Sequence, residues 1–364
     1  MLDYILVLLV LFFALTTGYL AYEKYTRKGK RSSSTDYLDA LRNLLDGKQE
    51  SAFTKLRQVV MEDSNNLDAY LRLGQILREH GRADRALQVH KDLTLRGGLS
   101  RDEKAGILHQ LALDYLALDE VGTAETALRE LIALAPQDRW AHATLLKLLE
   151  KAQKWDDAFD VAGQLLKLES SKSKKPLARY KYSAGLQLYK KREYHKARVM
   201  LKEAIGLDPG YELTYLTIGD SYYDEKRYED AVNFWNKLIE AVPSQGHLVI
   251  ERLKKTLFEL GRFGDIIDIC QNILAHDPKN LVARRSLAEF YEKKGETELA
   301  VEILEQIMDD YPDDLSTLVH LIRHHVDRGE TRKLQDLLRM LEQKRETQRS
   351  LPTDRKADSK PVRI

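Results

Sequence analysis

Hydrophobic positions change rhythm near the start of the chain. Residues 4–22, YILVLLVLFFALTTGYLAY, run nineteen positions without a charge. At about 1.5 Å per residue, a helix of that length matches the hydrocarbon thickness of a bilayer. Eleven of these residues are Leu, Ile, Val or Phe, so the segment is expected to insert as an anchor. Asp3 precedes it, where a cleaved signal would carry a basic region, so the anchor is read as uncleaved. Beyond it, apolar residues recur in paired helical blocks separated by short breaks containing Gly, Asp or Pro.

The blocks are self-similar. The clearest runs from Glu212 through Tyr215, Ile218, Gly219 and Tyr222 to Ala231, Trp235, Leu238 and Pro243. Related sets are Gly74 with Ala86, Ala112 with Ala124 and Pro136, Gly185 with Ala197 and Pro209, and Ala288 with Ala300 and Pro312. Leu145 with Ala158, and Leu253 with Ile266, Cys270 and Pro278, are less regular copies, and degenerate copies lie near Ala40 with Ala52 and near Leu321 with Leu334. A small residue late in the first helix and an alanine early in the second let two helices approach closely, while large residues fill the space to the next pair. This spacing resembles the tetratricopeptide repeat (TPR), a helix-turn-helix unit of about 34 residues.

The expected fold class is therefore all-α: an N-terminal transmembrane helix followed by a TPR α-solenoid of about nine units. The expected domains are an anchor over 1–23, a basic linker over 24–34, a solenoid over 35–346 and a disordered tail over 347–364. The tail is polar, charged and interrupted by Pro352 and Pro361. The TPR resemblance places certain first-helix positions in a protein-binding groove. They are Arg78, His109, Trp140, Lys147, Arg179, Tyr182, Tyr189, Asp220, Tyr223, Arg285 and Glu289. Aromatic residues and Arg suit a peptide or protein ligand, although any of these side chains could instead pack between neighbouring first helices.

Charge and candidate chemistry narrow the function. Lys24, Arg27, Lys28, Lys30 and Arg31 follow the anchor and place that side in the cytoplasm. Lys and Arg total 58 against 57 Asp and Glu, so no excess positive field calls for nucleic acid. Cys270 is the sole cysteine, which excludes an internal disulfide or a multi-cysteine metal site. It falls at a packing position rather than a nucleophile's. His320, His324 and His325 have a spacing that could ligate a metal, but no motif fixes a further ligand beside them. Neither a phosphate-binding glycine loop nor a hydrolase signature occurs. No catalytic residue, metal or cofactor is expected.

Local sequence adds a family. STDYLDALRNLLDGKQESA at 34–52, YLRLGQILREHGRADRALQVHKDL at 70–93 and LHQLALDYLALDEVGTAETAL at 108–128 resemble the opening repeats of the bacterial lipopolysaccharide assembly protein B family. That resemblance implies a single-pass inner-membrane adaptor with its repeats in the cytoplasm. Its implied partners are an FtsH-like membrane protease and the deacetylase that commits precursors to lipid A, with a client presented to the protease. The family also carries a rubredoxin-like module built on two C-x-x-C pairs. With Cys270 alone, this chain is expected to lack that module and its metal. A general TPR scaffold for an envelope, secretion or division complex stands as the alternative, and an enzyme as a third reading.

Overall fold

Wherever two helices pair, the chain must reverse within a few residues, and a left-handed residue makes the reversal possible. The computed structural model describes residues 15–19, 34–329 and 331–350. Residues 15–19 are helical, but the rest of the expected anchor at 4–22 and the basic linker lie outside the described residues. Among the described residues no helix is long and apolar enough to cross a membrane.

The chain divides into two units, residues 1–172 and 173–364. The first contains four helical hairpins among its described residues. They are α1 (34–45) with α2 (Gln49–Glu62), α3 (Leu67–Glu79) with α4 (Ala83–Thr94), α5 (Arg101–Ala117) with α6 (Val121–Leu134), and α7 (Arg139–Lys151) with α8 (Trp155–Leu168). The second contains five: α9 (Ala178–Lys190) with α10 (Tyr194–Leu207), α11 (Glu212–Asp224) with α12 (Tyr228–Ala241), α13 (Ile250–Glu259) with α14 (Asp265–His276), α15 (Leu281–Lys294) with α16 (Thr297–Asp310), and α17 (Leu315–Asp327) with α18 (Thr331–Ser350). No strand occurs among the described residues. The all-α repeat reading thus agrees with the structure. Helix α18 continues to Ser350, through the first four residues assigned from sequence to the tail, and residues 351–364 are outside the described set.

All nine described hairpin turns hold one residue at positive φ. Gly47, Gly81, Gly261, Gly295 and Gly329 supply it in five, at φ between +67° and +85°. Asp119, Gln153, Arg192 and Lys226 supply it in the others, at +55° to +62°, where a side chain costs roughly 1–2 kcal/mol. The turn hydrogen bonds repeat regardless of residue. Gly81 donates to the Arg78 carbonyl (3.0 Å) and Arg82 to that of Leu77 (2.9 Å); Lys226 donates to Tyr223 (2.8 Å) and Arg227 to Tyr222 (2.9 Å). These bonds satisfy carbonyls that a helix end leaves open.

Seven of the first helices begin by one of two routes. Asn66, Asp138, Asn280 and Asp314 each accept a bond from the backbone N–H three residues ahead, and Ser100 forms a reciprocal capping box with Glu103. Helices α9 and α13 instead follow short 3-10 turns, Lys175–Leu177 and Pro243–Val249. Pro243, which the repeat pattern assigns to the end of a unit, opens the second of these turns, because a missing N–H costs nothing at a helix start.

Small residues determine how closely each pair packs. Trp235 on α12 is only 1% exposed and lies against Gly219 on α11, where an added Cβ would stand 2.2 Å from its Nε1. The indole N–H donates to the Leu216 carbonyl at 3.3 Å. Gly74 and His90 repeat this arrangement in the first unit: a Cβ at Gly74 would meet the His90 ring at 2.2 Å, and His90 Nε2 faces the Leu71 carbonyl at 3.2 Å. Around Trp235, Leu238, Leu253, Cys270 and Ile273 form the main core of the second unit. In the first unit, Ala52, Leu56, Val59 and Ile76 do the same for the opening hairpins.

Two substitutions in one hairpin should move stability in opposite directions. Lys226→Gly relieves the left-handed side chain at some cost in chain entropy, and should stabilise by roughly 0.5–1 kcal/mol. Gly219→Ala forces a methyl into the Trp235 ring and should destabilise by about 1–3 kcal/mol. Denaturant midpoints followed by Trp fluorescence will report both, and a neutral Gly219→Ala would contradict the close packing described.

Candidate functional site

All eleven residues expected in the groove lie on first helices. Whether a side chain is available to a ligand depends on what it already touches, and the two units differ in this respect.

In the first unit, Arg78 on α3 is occupied. Its guanidinium donates to Asp114 Oδ1 (2.6 Å) and Gln110 Oε1 (2.8 Å) on α5. Asp114 is fully buried, and its other oxygen lies 2.5 Å from Nδ1 of the fully buried His90 on α4. Arg78 therefore joins three helices through a buried carboxylate rather than presenting a free cation. His109 on α5 stacks on Trp140 of α7, with ring centroids 3.9 Å apart and planes 27° from parallel. His109 also lines a cleft of about 280 Å³ between α3 and α5, with Asp68, Arg72, Gln75, Gln110 and Asp138. Burial holds the His109 imidazole below its ordinary value, and the Asp138 carboxylate 3.8 Å away offsets part of that shift. Lys147 is exposed on α7.

In the second unit, Tyr189, Asp220 and Tyr223 are brought together. They line a cleft of about 150 Å³ with Asp224, Trp235, Arg252, Lys255 and Thr256, drawn from α9, α11, α12 and α13. The Tyr189 hydroxyl donates to Asp224 Oδ2 at 2.7 Å, and burial together with that carboxylate holds the phenol far above its usual range. Asp220 accepts two bonds from Arg252, at 2.7 and 3.2 Å. The Lys255 ammonium lies 4.9 Å above the Tyr223 ring. Tyr182 packs edge-on against Tyr211 at 5.1 Å, and Arg179 bonds the Tyr180 hydroxyl beside it.

Arg285 and Glu289 on α15 share a separate cleft of about 220 Å³ with Glu251, Ser286, Ser316 and His320. Arg285 Nη2 reaches Asp314 at 3.5 Å. Burial pushes the Glu289 carboxyl upward, but hydrogen bonds from Lys254 (2.5 Å) and Lys293 (2.8 Å) outweigh it and hold the group below its ordinary value. Cys270 is fully buried, and burial pushes its thiol up to about 12, far from a reactive thiolate. Among the described residues no three His, Cys, Asp or Glu side chains are placed to hold a metal.

Asp224, Arg252, Lys254 and Lys255 were not singled out from sequence. A signal existed: Tyr189–Asp224, Asp220–Arg252 and Lys254–Glu289 are separated by 35, 32 and 35 positions, about one repeat length. Complementary groups one repeat apart therefore mark contacts between successive first helices.

The first-helix face and the paired-helix fold belong to the tetratricopeptide class. Tetratricopeptide-repeat models match residues 214–244 and 257–323. Among curated proteins, the chain is similar to lipopolysaccharide assembly protein B of Escherichia coli, at 23% identity over 308 residues, covering 85% of this chain and 79% of that protein. The protein of the same name from Haemophilus influenzae is 24% identical over 288 residues, covering 75% of this chain and 71% of its own length. Among solved structures, a chain of Naa15/Naa10 bound to HypK-THB aligns over 79% of this chain and 43% of its own, at 14% identity and a TM-score of 0.46.

Two titrations check these environments. His109 should titrate by NMR below the usual histidine value of about 6.5, and Asp138→Asn should lower it further by removing the offsetting carboxylate. For Glu289, the depressed value means that its stabilising contribution is present above the unfolded carboxyl value near about 4.3 and is lost as pH falls through the folded one. Glu289→Gln should therefore flatten the acid limb of stability for the α13–α15 region, as read by hydrogen exchange.

Proposed function

We propose that this chain is a non-catalytic, membrane-anchored TPR adaptor in lipopolysaccharide assembly. In this reading it holds a client on its first-helix face and presents it to a membrane protease. The observation that carries the reading is the convergence of Tyr189, Asp220 and Tyr223 in one cleft between successive first helices. Rigid aromatic rings beside satisfied charges give contact area at little cost in side-chain entropy, as protein-binding hot spots require. The name shared by its curated relatives supplies the pathway, and the uncharged run at 4–22 supplies the anchor. The lipid A deacetylase is the proposed client, and an FtsH-like enzyme the proposed protease.

The groove is assigned to Tyr182, Tyr189, Asp220, Tyr223, Arg285 and Glu289 in the second unit, and to His109, Trp140 and Lys147 in the first. Arg78 and Arg179 are assigned a supporting role, since each is tied to a neighbouring side chain. In a host that makes lipid A, depletion of this protein should raise deacetylase abundance, measured by immunoblot after synthesis is stopped. Unchanged abundance and half-life would sink the proposal. Tyr189→Ala with Tyr223→Ala should weaken client capture by about tenfold or more, since each hot-spot truncation typically costs over about 1 kcal/mol. An unchanged melting temperature must accompany that loss for it to count.

A further inference from the structure

The opposite side of the second unit, formed by second helices, carries a different chemistry. Helices α10 and α12 flank a cleft of about 610 Å³ lined by Lys202, Ile205, Tyr215, Phe234, Lys237 and Ala241, with Glu240 also on its wall. The Lys237 ammonium lies 4.7 Å from the Phe234 ring centroid, and the Lys202 ammonium lies 5.9 Å from the same ring. Two like charges thus lie against one aromatic ring.

Neither is neutralised within the chain. Among the described residues no carboxylate stands within ion-pair distance of Lys202 or Lys237, and both side chains are exposed. Of the acids around the cleft, Glu240 lies on its wall but beyond ion-pair distance of either lysine, and the others are engaged elsewhere. Glu203 pairs with Lys181 at 3.0 Å, Asp230 with Arg227 at 2.6 Å and Glu229 with Arg262 at 2.7 Å. On the first-helix face, by contrast, Arg252 and Lys254 are matched by Asp220 and Glu289 from neighbouring first helices. The cleft combines an apolar floor with two cations against the single carboxylate of Glu240, so an incoming anion meets an excess of positive charge there.

We propose that the α10–α12 cleft is a second docking site, and that it takes an acidic peptide segment of a partner protein bearing an aromatic or long apolar side chain. The apolar side chain would cover Ile205, Tyr215 and Phe234, and flanking carboxylates would meet Lys202 and Lys237. The chain's own tail does not fit this chemistry: residues 347–364 carry five cations, Arg349, Arg355, Lys356, Lys360 and Arg363, against two acids, Asp354 and Asp358. An anionic bilayer is also a poor match. The apolar groups line a recess between helices, whereas insertion into lipid requires groups that project. The site is separate from the first-helix cleft and does not depend on the identity of the client proposed there.

The test uses the full chain in phosphatidylcholine nanodiscs and a short fluorescent peptide of glutamates around a phenylalanine, followed by anisotropy. The acidic peptide should bind, and its twin with lysine in place of glutamate should not. Lys202→Glu with Lys237→Glu should weaken binding by about tenfold or more. The milder pair Lys202→Gln with Lys237→Gln, which keeps helix propensity, should weaken it less but measurably. Lys190→Glu with Lys191→Glu, an equal change of charge at the C-terminal end of α9, should leave it intact. The proposal is overturned if the wild-type chain does not bind the peptide, if the α10–α12 variants bind as tightly as wild type, or if the α9 pair loses as much. It is equally overturned if phosphatidylglycerol vesicles displace the peptide and lose their own binding in the α10–α12 variants, since the occupant would then be lipid.

Discussion

Everything in this protein depends on how closely the two helices of a hairpin can approach. Where Gly219 and Gly74 leave no Cβ, a large ring from the second helix lies directly on the backbone of the first and donates or presents a nitrogen to its carbonyl. That contact does two things together. It buries a large apolar surface, and it keeps the ring's polar atom partnered, so burial carries no desolvation penalty. The same sixteen-residue offset joins Gly74 to His90 and Gly219 to Trp235, so one geometric solution serves in both units with different chemistry.

Charge then ties certain neighbouring hairpins together within each unit. Arg78 with Asp114, Arg252 with Asp220 and Lys254 with Glu289 all cross between first helices of adjacent hairpins. These pairs differ in kind. Asp114 is wholly buried and holds both Arg78 and His90, so removing it would leave uncompensated groups in the interior. The other pairs are partly exposed and weaker, which leaves their surroundings able to exchange an internal partner for an external one. Recognition on this face would therefore compete with contacts that already exist, whereas the cations of the second-helix cleft lie over the Phe234 ring and have no internal carboxylate partner.

The turns illustrate a trade between local strain and repeat length. Every described reversal needs a left-handed residue, yet Asp119, Gln153, Arg192 and Lys226 occupy that place in the central hairpins. The strain is tolerated because the hydrogen bonds closing the turn are the same as those made at the glycine turns. From sequence, glycines at 47, 81, 261, 295 and 329 could be read as breaks, but the four strained turns left no comparable mark. Only the regular spacing of the helices around them indicated where they fall.

The sequence by itself determined the helical pairs, their number and their small-residue contacts. These follow from short-range periodicity and from steric limits that any helix obeys. It also identified the face on which Tyr189, Asp220 and Tyr223 lie, because position within a repeat dictates direction. Tertiary structure decided which of those side chains remain available. Arg78 looked like a groove cation and is bound to a buried carboxylate one hairpin away, while Arg252 and Lys255 were passed over and line the cleft. Pairing across a repeat depends on side-chain reach and on what lies opposite. A linear pattern carries the separation of two residues but not the distance between their charged atoms.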